Sequence, residues 1–169
     1  SDNVKIYLCG PTVQSSPHIG HGRSAVVFDF LIRYLVYLDY EVNFVRNITD
    51  IEDKIIERAV EEGITTKELA DRVTKEFKDA YSSLNCLPPD NEPKATETID
   101  HIIKFIEVLI ENGYAYVTQS GVYFEVTKFK DYLKLSGRNK DEVISGTRVD
   151  LKSDKKNTED FALWKISKE

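Results

Sequence analysis

The chain reads Cys9-Gly10-Pro11-Thr12 and, shortly afterwards, Ser15-Ser16-Pro17-His18-Ile19-Gly20-His21. An apolar run ends at Cys9, and the serines before Pro17 have the composition of a helix N-cap. The pattern therefore predicts a turn from a buried strand into a helix. His18 and His21 are three residues apart, so their side chains project from one side of the first helical turn. Free backbone N–H groups and the helix dipole favour an anion there, which predicts a phosphate-binding site.

The residues around this turn predict a βαβ unit. Residues 5–9 and 40–45 have the pattern of short strands, and residues 18 to about 38 that of the connecting helix. Such a unit has parallel strands and a right-handed connection, which places the chain in the α/β class. The helix is apolar almost all round, so we expect it to be buried on most sides. The turn lacks the Gly-x-Gly-x-x-Gly fingerprint of dinucleotide-binding folds.

Three further helices and a hairpin are predicted downstream. Asp50 is the expected N-cap of a helix that ends at Gly63, and Thr65 with Glu68 forms a capping box for the next one. Isoleucines at helical spacing predict another helix over residues 99–110. Alternating residues at about 114–126 predict a hairpin. The remainder is polar and rich in turn-forming residues, except for one apolar cluster at Phe161-Ala162-Leu163-Trp164.

The composition argues against several classes of protein. The chain has 169 residues and a net charge of −6, with no basic run, so charge alone does not create a nucleic-acid surface. The two cysteines, Cys9 and Cys86, lie in unrelated contexts, which indicates no disulfide framework and favours a reducing, intracellular setting. No apolar stretch reaches the ~20 residues of a membrane span, and the first residues lack the features of a signal peptide.

Several segments, in order, resemble the cysteinyl-tRNA synthetase family of class I aminoacyl-tRNA synthetases. The resemblance covers nearly the whole chain, so it is far more specific than any single motif. The matching segments are Cys9-Gly10-Pro11-Thr12-Val13, Pro17-His18-Ile19-Gly20-His21-Gly22-Arg23-Ser24, Arg46-Asn47-Ile48-Thr49-Asp50, Leu87-Pro88-Pro89-Asp90, Glu92-Pro93-Lys94-Ala95-Thr96, Gly146-Thr147-Arg148-Val149 and Asp160-Phe161-Ala162-Leu163-Trp164-Lys165.

The resemblance implies a Rossmann-like nucleotide-binding half-domain over residues 1–64, followed by a helical continuation and connective insertion with the hairpin over residues 65–169. It also implies a ligase that activates L-cysteine with Mg²⁺-ATP, releases pyrophosphate and transfers the cysteinyl group to tRNA(Cys). The family's HIGH signature falls on His18, Ile19, Gly20 and His21, which would bind ATP, with both histidines acting on its phosphates. Gly20 would let a base or ribose approach the helix backbone.

The resemblance further implies a zinc ion that binds the thiolate of the substrate cysteine, with Cys9 as one of its ligands. The family's other three zinc ligands belong to a later segment. Gly10 and Thr49 should line the cysteine pocket, with Thr12 and Asp50 near it. The family implies a cytoplasmic protein that contacts no membrane, is more often monomeric than oligomeric, and binds tRNA mainly through regions beyond these residues.

Several alternatives stand beside this interpretation. Cys86 is interpreted as a packing residue, and Arg46, Asp50 and Asp53 as either a ligand-binding cluster or ordinary caps and ion pairs. Lys165-Ile166-Ser167-Lys168-Glu169 resembles the second class I signature but precedes its expected place, so we interpret it as a surface turn. Rival functions are the cysteine:amino-sugar ligase of mycothiol synthesis and a non-catalytic nucleotide-binding module. As part of a synthetase, this chain alone would be inactive.

Overall fold

The structure is a computed structural model that describes residues 2–137 and 154–166. The chain divides into two compact units, residues 1–99 and 100–169. The first unit contains β1 (Asn3–Leu8), α1 (Ile19–Tyr37), β2 (Glu41–Arg46), α2 (Asp53–Glu62) and α3 (Thr66–Ser83). The second contains most of α4 (Ile99–Glu111), then β3 (Ala115–Val117), β4 (Gly121–Phe124) and β5 (Phe161–Lys165).

The predicted βαβ unit is confirmed. β1 and β2 pair in parallel, in a register that runs from Asn3 opposite Glu41 to Leu8 opposite Arg46. Pairing continues beyond the strands, where Thr12 forms an isolated parallel bridge with Thr49. The carboxyl ends of both strands therefore open on the loop that carries Cys9 and leads into α1. This is the edge at which open α/β sheets bind ligands.

The prediction that α1 is buried on most sides is wrong for this chain. Of its side chains only Ala25 and Ile32 are buried, and the ring of Phe30 is 71% exposed. A helix that is apolar all round needs partners on every side, whereas α1 packs here mainly against β2 and α3. A two-stranded sheet is too narrow to cover the remaining surface.

Local capping signals set the ends of α2 and α3. Gly63 adopts a left-handed conformation with φ of 66° and ends α2, as predicted. Thr65 and Glu68 form the predicted capping box of α3. The predicted cap at Asp50 is wrong, because Glu52 caps α2 by accepting a hydrogen bond from the Lys54 backbone N–H at 3.0 Å. Asp50 instead accepts hydrogen bonds from the backbone N–H of Thr96 at 2.9 Å and its hydroxyl at 2.5 Å.

The core of the first unit lies between the loop after β1 and the two helices α2 and α3. Its fully buried side chains include Val13, Ile55, Leu69 and Val73. The segment after α3 returns along β2: Asn91 forms a parallel bridge with Val45, and Lys94 with Ile48. The carboxylate of Asp90 accepts a hydrogen bond from the Phe44 N–H at 2.7 Å. This return segment holds the end of β2 in place.

The second unit contains the predicted hairpin of β3 and β4. A third strand, β5, extends it into an antiparallel sheet, although the sequence indicated only an apolar cluster there. Asp160 lies just before β5, is 1% exposed, and accepts hydrogen bonds from the Tyr116 hydroxyl at 2.7 Å and the Val126 N–H at 3.0 Å. A Cβ on Gly121 would lie 2.1 Å from the Trp164 carbonyl oxygen, so only glycine permits this close approach of the strands.

Two sequence predictions fall wholly or partly outside the described residues. Lys165 belongs to β5, and the Ile166 N–H donates to the Ser120 carbonyl, whereas residues 167–169 of the expected surface turn lie outside. The Gly146–Val149 motif also lies outside. No helix within residues 2–137 and 154–166 is both long and apolar enough to cross a membrane.

Candidate nucleotide and cysteine site

A cavity of about 330 Å³ opens at the carboxyl end of β1. It brings together five of the residues singled out in the sequence: Cys9, Gly10, Thr12, His18 and His21. The loop after β1 supplies the first three, and the first turn of α1 supplies the histidines. Its further lining residues include Gln14, Ser15, Ser24, Arg46 and Tyr81. The strand-to-helix turn thus brings a thiol and two imidazoles together in one concave site.

The other predicted site residues lie elsewhere. Ile19 is 89% exposed and lies beside a separate depression with Pro17 and Gly22. Asp50 lines another cavity, of about 690 Å³, with Ile55 and Thr96. Thr49 is half-buried and lines neither, although its backbone pairs with the loop that carries Thr12. The roles of Ile19, Thr49 and Asp50, like those of the residues that line the first cavity, therefore stay predictions.

The side chains of His18 and His21 together form the N-terminal cap of α1. Nδ1 of His18 accepts a hydrogen bond from the Gly20 N–H at 3.1 Å, and Nδ1 of His21 accepts one from the His18 N–H at 3.2 Å. The predicted cap at Ser15-Ser16 is therefore wrong: His18 is the N-cap, with extended backbone. Each Nδ1 is an acceptor, so each neutral ring carries its proton on Nε2.

This cap changes how the turn can bind an anion. The N–H groups of His21 and Gly22 donate to the His18 carbonyl at 2.9 and 3.3 Å, and the Gly20 N–H is held by the His18 ring. The expectation that free backbone N–H groups form the anion site is wrong for these three positions. The Nε2–H groups of the two rings remain as donors. The rings lie with centroids 3.9 Å apart and can therefore serve one ligand.

The environment favours the neutral form of His21. Burial, followed by the neighbouring His18, lowers the pKa of His21 below its ordinary value of 6.5. Its ring also packs nearly perpendicular to that of Phe77, with centroids 4.9 Å apart. A neutral imidazole donates one hydrogen bond at Nε2 while its Nδ1 continues to cap the helix.

Gly20 is required by this cap. A Cβ at position 20 would lie 2.9 Å from Cε1 and 3.0 Å from Nδ1 of His18, closer than real side-chain contacts allow. Any side chain there would displace the capping ring. This gives Gly20 a structural role beside its predicted role in letting a base or ribose approach.

Gly10 is required by a different contact. A Cβ at position 10 would lie 1.5 Å from the Asn47 carbonyl oxygen, so the two strand ends could not both keep their places. The Gly10 N–H also donates to Asn47 Oδ1 at 2.8 Å. Asn47 belongs to a segment that resembles the family, but the sequence assigned it no role. The sequence signal for such a role was the position of Asn47 directly after β2, because polar side chains there lie at the edge of the sheet where ligands bind.

Arg46 is a buried cation at the base of the cavity. It is 6% exposed, pairs with Glu92 at 3.0 Å and places its guanidinium 4.5 Å from the centre of the Tyr81 ring. Glu92 also pairs with Lys78 at 2.8 Å. Arg46 Nε is buried without a hydrogen-bond partner among the described residues. The suggested cluster with Asp50 does not form, because Asp50 is bound to Thr96 instead.

The described residues do not complete a metal site. No group of three or more His, Cys, Asp or Glu side chains within them could hold a metal ion. Cys9 is exposed at the cavity rim and can supply one soft ligand. Cys86 packs against the core of the first unit, and burial raises the pKa of its thiol, as suits a packing residue.

Comparison with known proteins agrees with the family resemblance over all of residues 1–169. The family model described as tRNA synthetases class I (C) catalytic domain matches residues 1–169. The cysteine–tRNA ligase of Methanococcus maripaludis is 52% identical over 98% of this chain and 35% of its own length. That of Francisella tularensis subsp. novicida is 49% identical over 100% of this chain and 37% of its own length.

Solved structures support the fold. The methionyl-tRNA synthetase of Mycobacterium tuberculosis bound by methionyl-adenylate aligns with a TM-score of 0.60 and 22% identity. The match covers 74% of this chain and 25% of that one. The chain spans about a third of the length of the curated relatives it matches. With a family model matched from end to end, the chain belongs to the class I (C) tRNA synthetase catalytic-domain family.

Proposed function

We propose that these residues are part of a cysteine–tRNA ligase and form the first half of its active site. The proposal rests on one observation above all: the Cys9 thiol and the His18 and His21 imidazoles line a single cavity at the carboxyl end of β1. The ligase would join L-cysteine to ATP as cysteinyl-adenylate, release pyrophosphate and transfer the cysteinyl group to tRNA(Cys).

His18 and His21 would act on the phosphates of ATP, which would enter with Mg²⁺. Their Nδ1 atoms are used in capping, so each ring has one Nε2–H to donate to a phosphate oxygen. Donors that are already fixed in place stabilise charge on departing pyrophosphate without reorganising. The backbone of Ile19 and Gly20, at the same turn, would lie under the nucleotide.

Cys9 would be one ligand of a zinc ion. Bound zinc would supply selection of the cysteine thiolate over the hydroxyl of serine, since soft sulfur is its preferred partner. Cys9, exposed at the rim, has the accessibility that such a ligand needs. Gly10 and Thr12 would line the cysteine pocket beside it, with Thr49 and Asp50 contributing from the end of β2.

The remaining ligands, the second signature loop and most tRNA contacts would lie in other parts of the protein. We assign residues 1–64 to the first half of the catalytic domain, and residues 65–169 to its helical continuation and connective insertion. On this assignment the chain alone is inactive, and the whole protein is a cytoplasmic monomer. The exposed apolar side chains of α1 are consistent with a catalytic domain that continues beyond these residues.

The test is cysteine-dependent ATP–pyrophosphate exchange by the full-length protein. Cys9→Ser should abolish the exchange, whereas Cys86→Ser, a change of the same kind in a packing position, should retain it. Undiminished exchange in Cys9→Ser would remove this thiol from the site. Charging of tRNA(Cys) with labelled cysteine then identifies the acceptor, and transfer to an amino sugar instead would favour the mycothiol-type ligase.

A further inference from the structure

Asn47 joins the ends of the two parallel strands through its side-chain amide. Its Oδ1 accepts a hydrogen bond from the Gly10 N–H at 2.8 Å, and its Nδ2 donates one to Thr49 Oγ1 at 3.2 Å. The orientation of the amide is fixed by chemistry, because a backbone N–H can only donate and must face the oxygen. One side chain thus holds a backbone group of the β1 loop and a hydroxyl after β2.

The contact with Gly10 acts on its neighbour Cys9. The Gly10 N–H belongs to the planar peptide group that joins Gly10 to Cys9. Fixing this N–H therefore fixes the orientation of the peptide plane next to the Cys9 Cα, which carries the side chain. The Asn47 carbonyl approaches Gly10 so closely that a Cβ would lie 1.5 Å from its oxygen. The Asn47 backbone therefore lies against the Gly10 Cα, while its side chain holds the Gly10 N–H.

The contact with Thr49 sets the polarity of its hydroxyl. A threonine hydroxyl that accepts a hydrogen bond from an amide N–H turns its own proton elsewhere. No acceptor for that proton is found in the described part of the chain, and Thr49 is only half-buried. Thr49 is therefore presented as a hydrogen-bond donor at the end of β2.

From these contacts we infer that Asn47 is a positioning residue of the amino-acid site: it orients Cys9 through Gly10 and makes the Thr49 hydroxyl a donor to bound cysteine. The inference deepens the proposed function and rests on it for the identity of the ligand. The orientation of Cys9 is a property of the fold and holds whatever the ligand is.

Asn47→Asp separates the two contacts. The new carboxylate has nearly the same shape and keeps an acceptor for the Gly10 N–H, but it replaces the donor to Thr49 with a second acceptor. The Thr49 proton would then turn toward the carboxylate and away from substrate. Asn43→Asp is the matched control, since Asn43 is exposed on β2 and receives the same change in charge.

The kinetic arm uses the full-length protein and its cysteine-dependent ATP–pyrophosphate exchange. Asn47→Asp should raise KM for cysteine roughly tenfold, the loss expected for one hydrogen bond, while KM for ATP stays within about twofold. Thr49→Val should have a similar effect, and the double variant should be no worse than either single one. Unchanged KM for cysteine, or additive effects of the two substitutions, would overturn the donor role of Thr49.

The second arm does not depend on the reaction. In metal-free full-length protein, Asn47→Ala should alter the alkylation rate of Cys9 several-fold, since its peptide is no longer held, and leave Cys86 unchanged. Equal Cys9 rates in wild type and variant would overturn the positioning role. If the wild-type protein shows no exchange with cysteine, the proposed function fails and the donor role falls with it, while the alkylation rates still decide the role toward Cys9.

Discussion

The imidazoles of His18 and His21 cap one helix reciprocally, each through its Nδ1 atom and a backbone N–H at 3.1 and 3.2 Å. Side chains proposed to bind ATP phosphates therefore also determine where α1 begins. The two roles are compatible because they use opposite nitrogens of each ring. Protonation of Nδ1 should therefore remove the cap and leave the Nε2–H donor in place.

Stability should fall as the pH drops below about 6.5. The pKa of His21 is lowered in the folded protein from 6.5, so the unfolded chain binds more protons there. The stabilising contribution of His21 is therefore complete above pH 6.5 and is lost as the pH falls toward the folded pKa. Urea unfolding at pH 5 to 8 should show a smaller loss on acidification in His21→Ala than in wild type.

His101 supplies the control for this experiment. It is an exposed residue of α4 and takes no part in the α1 cap, so His101→Ala should retain the loss on acidification that the cap causes. At pH 8, His21→Ala should itself cost about 1 kcal/mol, as the loss of a capping interaction does. Equal slopes for His21→Ala and wild type would show that the imidazole cap has no part in acid sensitivity.

Gly10→Ala should destabilise the protein by at least about 2 kcal/mol, because its Cβ would lie 1.5 Å from the Asn47 carbonyl oxygen and the strand ends would have to separate. Gly63→Ala is the comparison, since it has φ of 66° but nothing within 4 Å of its Cβ. That variant suffers only backbone strain, which costs about 1 kcal/mol. Thermal unfolding measures both, and equal losses would contradict the steric explanation for Gly10.

The sequence predicted those features whose signals are local. Gly63 and the Thr65–Glu68 pair contain their own capping chemistry within a few residues, and the alternation around residues 114–126 defines a hairpin without any distant partner. The βαβ unit follows from strand and helix periods together with the handedness of its connection. These predictions required no knowledge of what each element packs against.

The errors lie where a distant partner decides the outcome. Asp50 has the composition of a cap, but Thr96, 46 residues later, supplies its hydrogen bonds. Histidine is not a favoured N-cap residue, so residue preference alone favours Ser15-Ser16 over His18. β5 pairs with a strand from which a long segment separates it. At the candidate site, residue types predicted Cys9 and the histidines, whereas Asn47 and Arg46 owe their roles to contacts across the fold.

The ion pair between Arg46 and Glu92 should matter far more than those on the protein surface. Glu92→Gln removes the charge opposite a guanidinium that is 6% exposed, which should cost about 3 kcal/mol. Glu61→Gln removes an exposed partner of Arg58 and should leave the stability almost unchanged, because solvent screens this pair. Urea unfolding of the two variants tests the contrast. A loss at Glu92 as small as that at Glu61 would mean that the Tyr81 ring suffices to hold Arg46.

The second unit should lose stability at alkaline pH through Tyr116. Burial raises the pKa of Tyr116 from 10.0 to about 12, and its hydrogen bond to the Asp160 carboxylate, at 2.7 Å, acts in the same direction. The fold thus favours the neutral phenol. Its stabilising contribution is complete below pH 10 and is lost as the pH rises through 12.

Phenolate absorbance gives the direct measurement. The difference between the titrations of wild type and Tyr116→Phe isolates this one hydroxyl from the other tyrosines, and it should show a midpoint near 12. Tyr37→Phe, at a side chain 80% exposed on α1, leaves Tyr116 in place and should keep that late component. A midpoint near 10 in the difference titration would mean that water reaches the hydroxyl, and that Asp160 is held by its donors at Val126 and Asn157 alone.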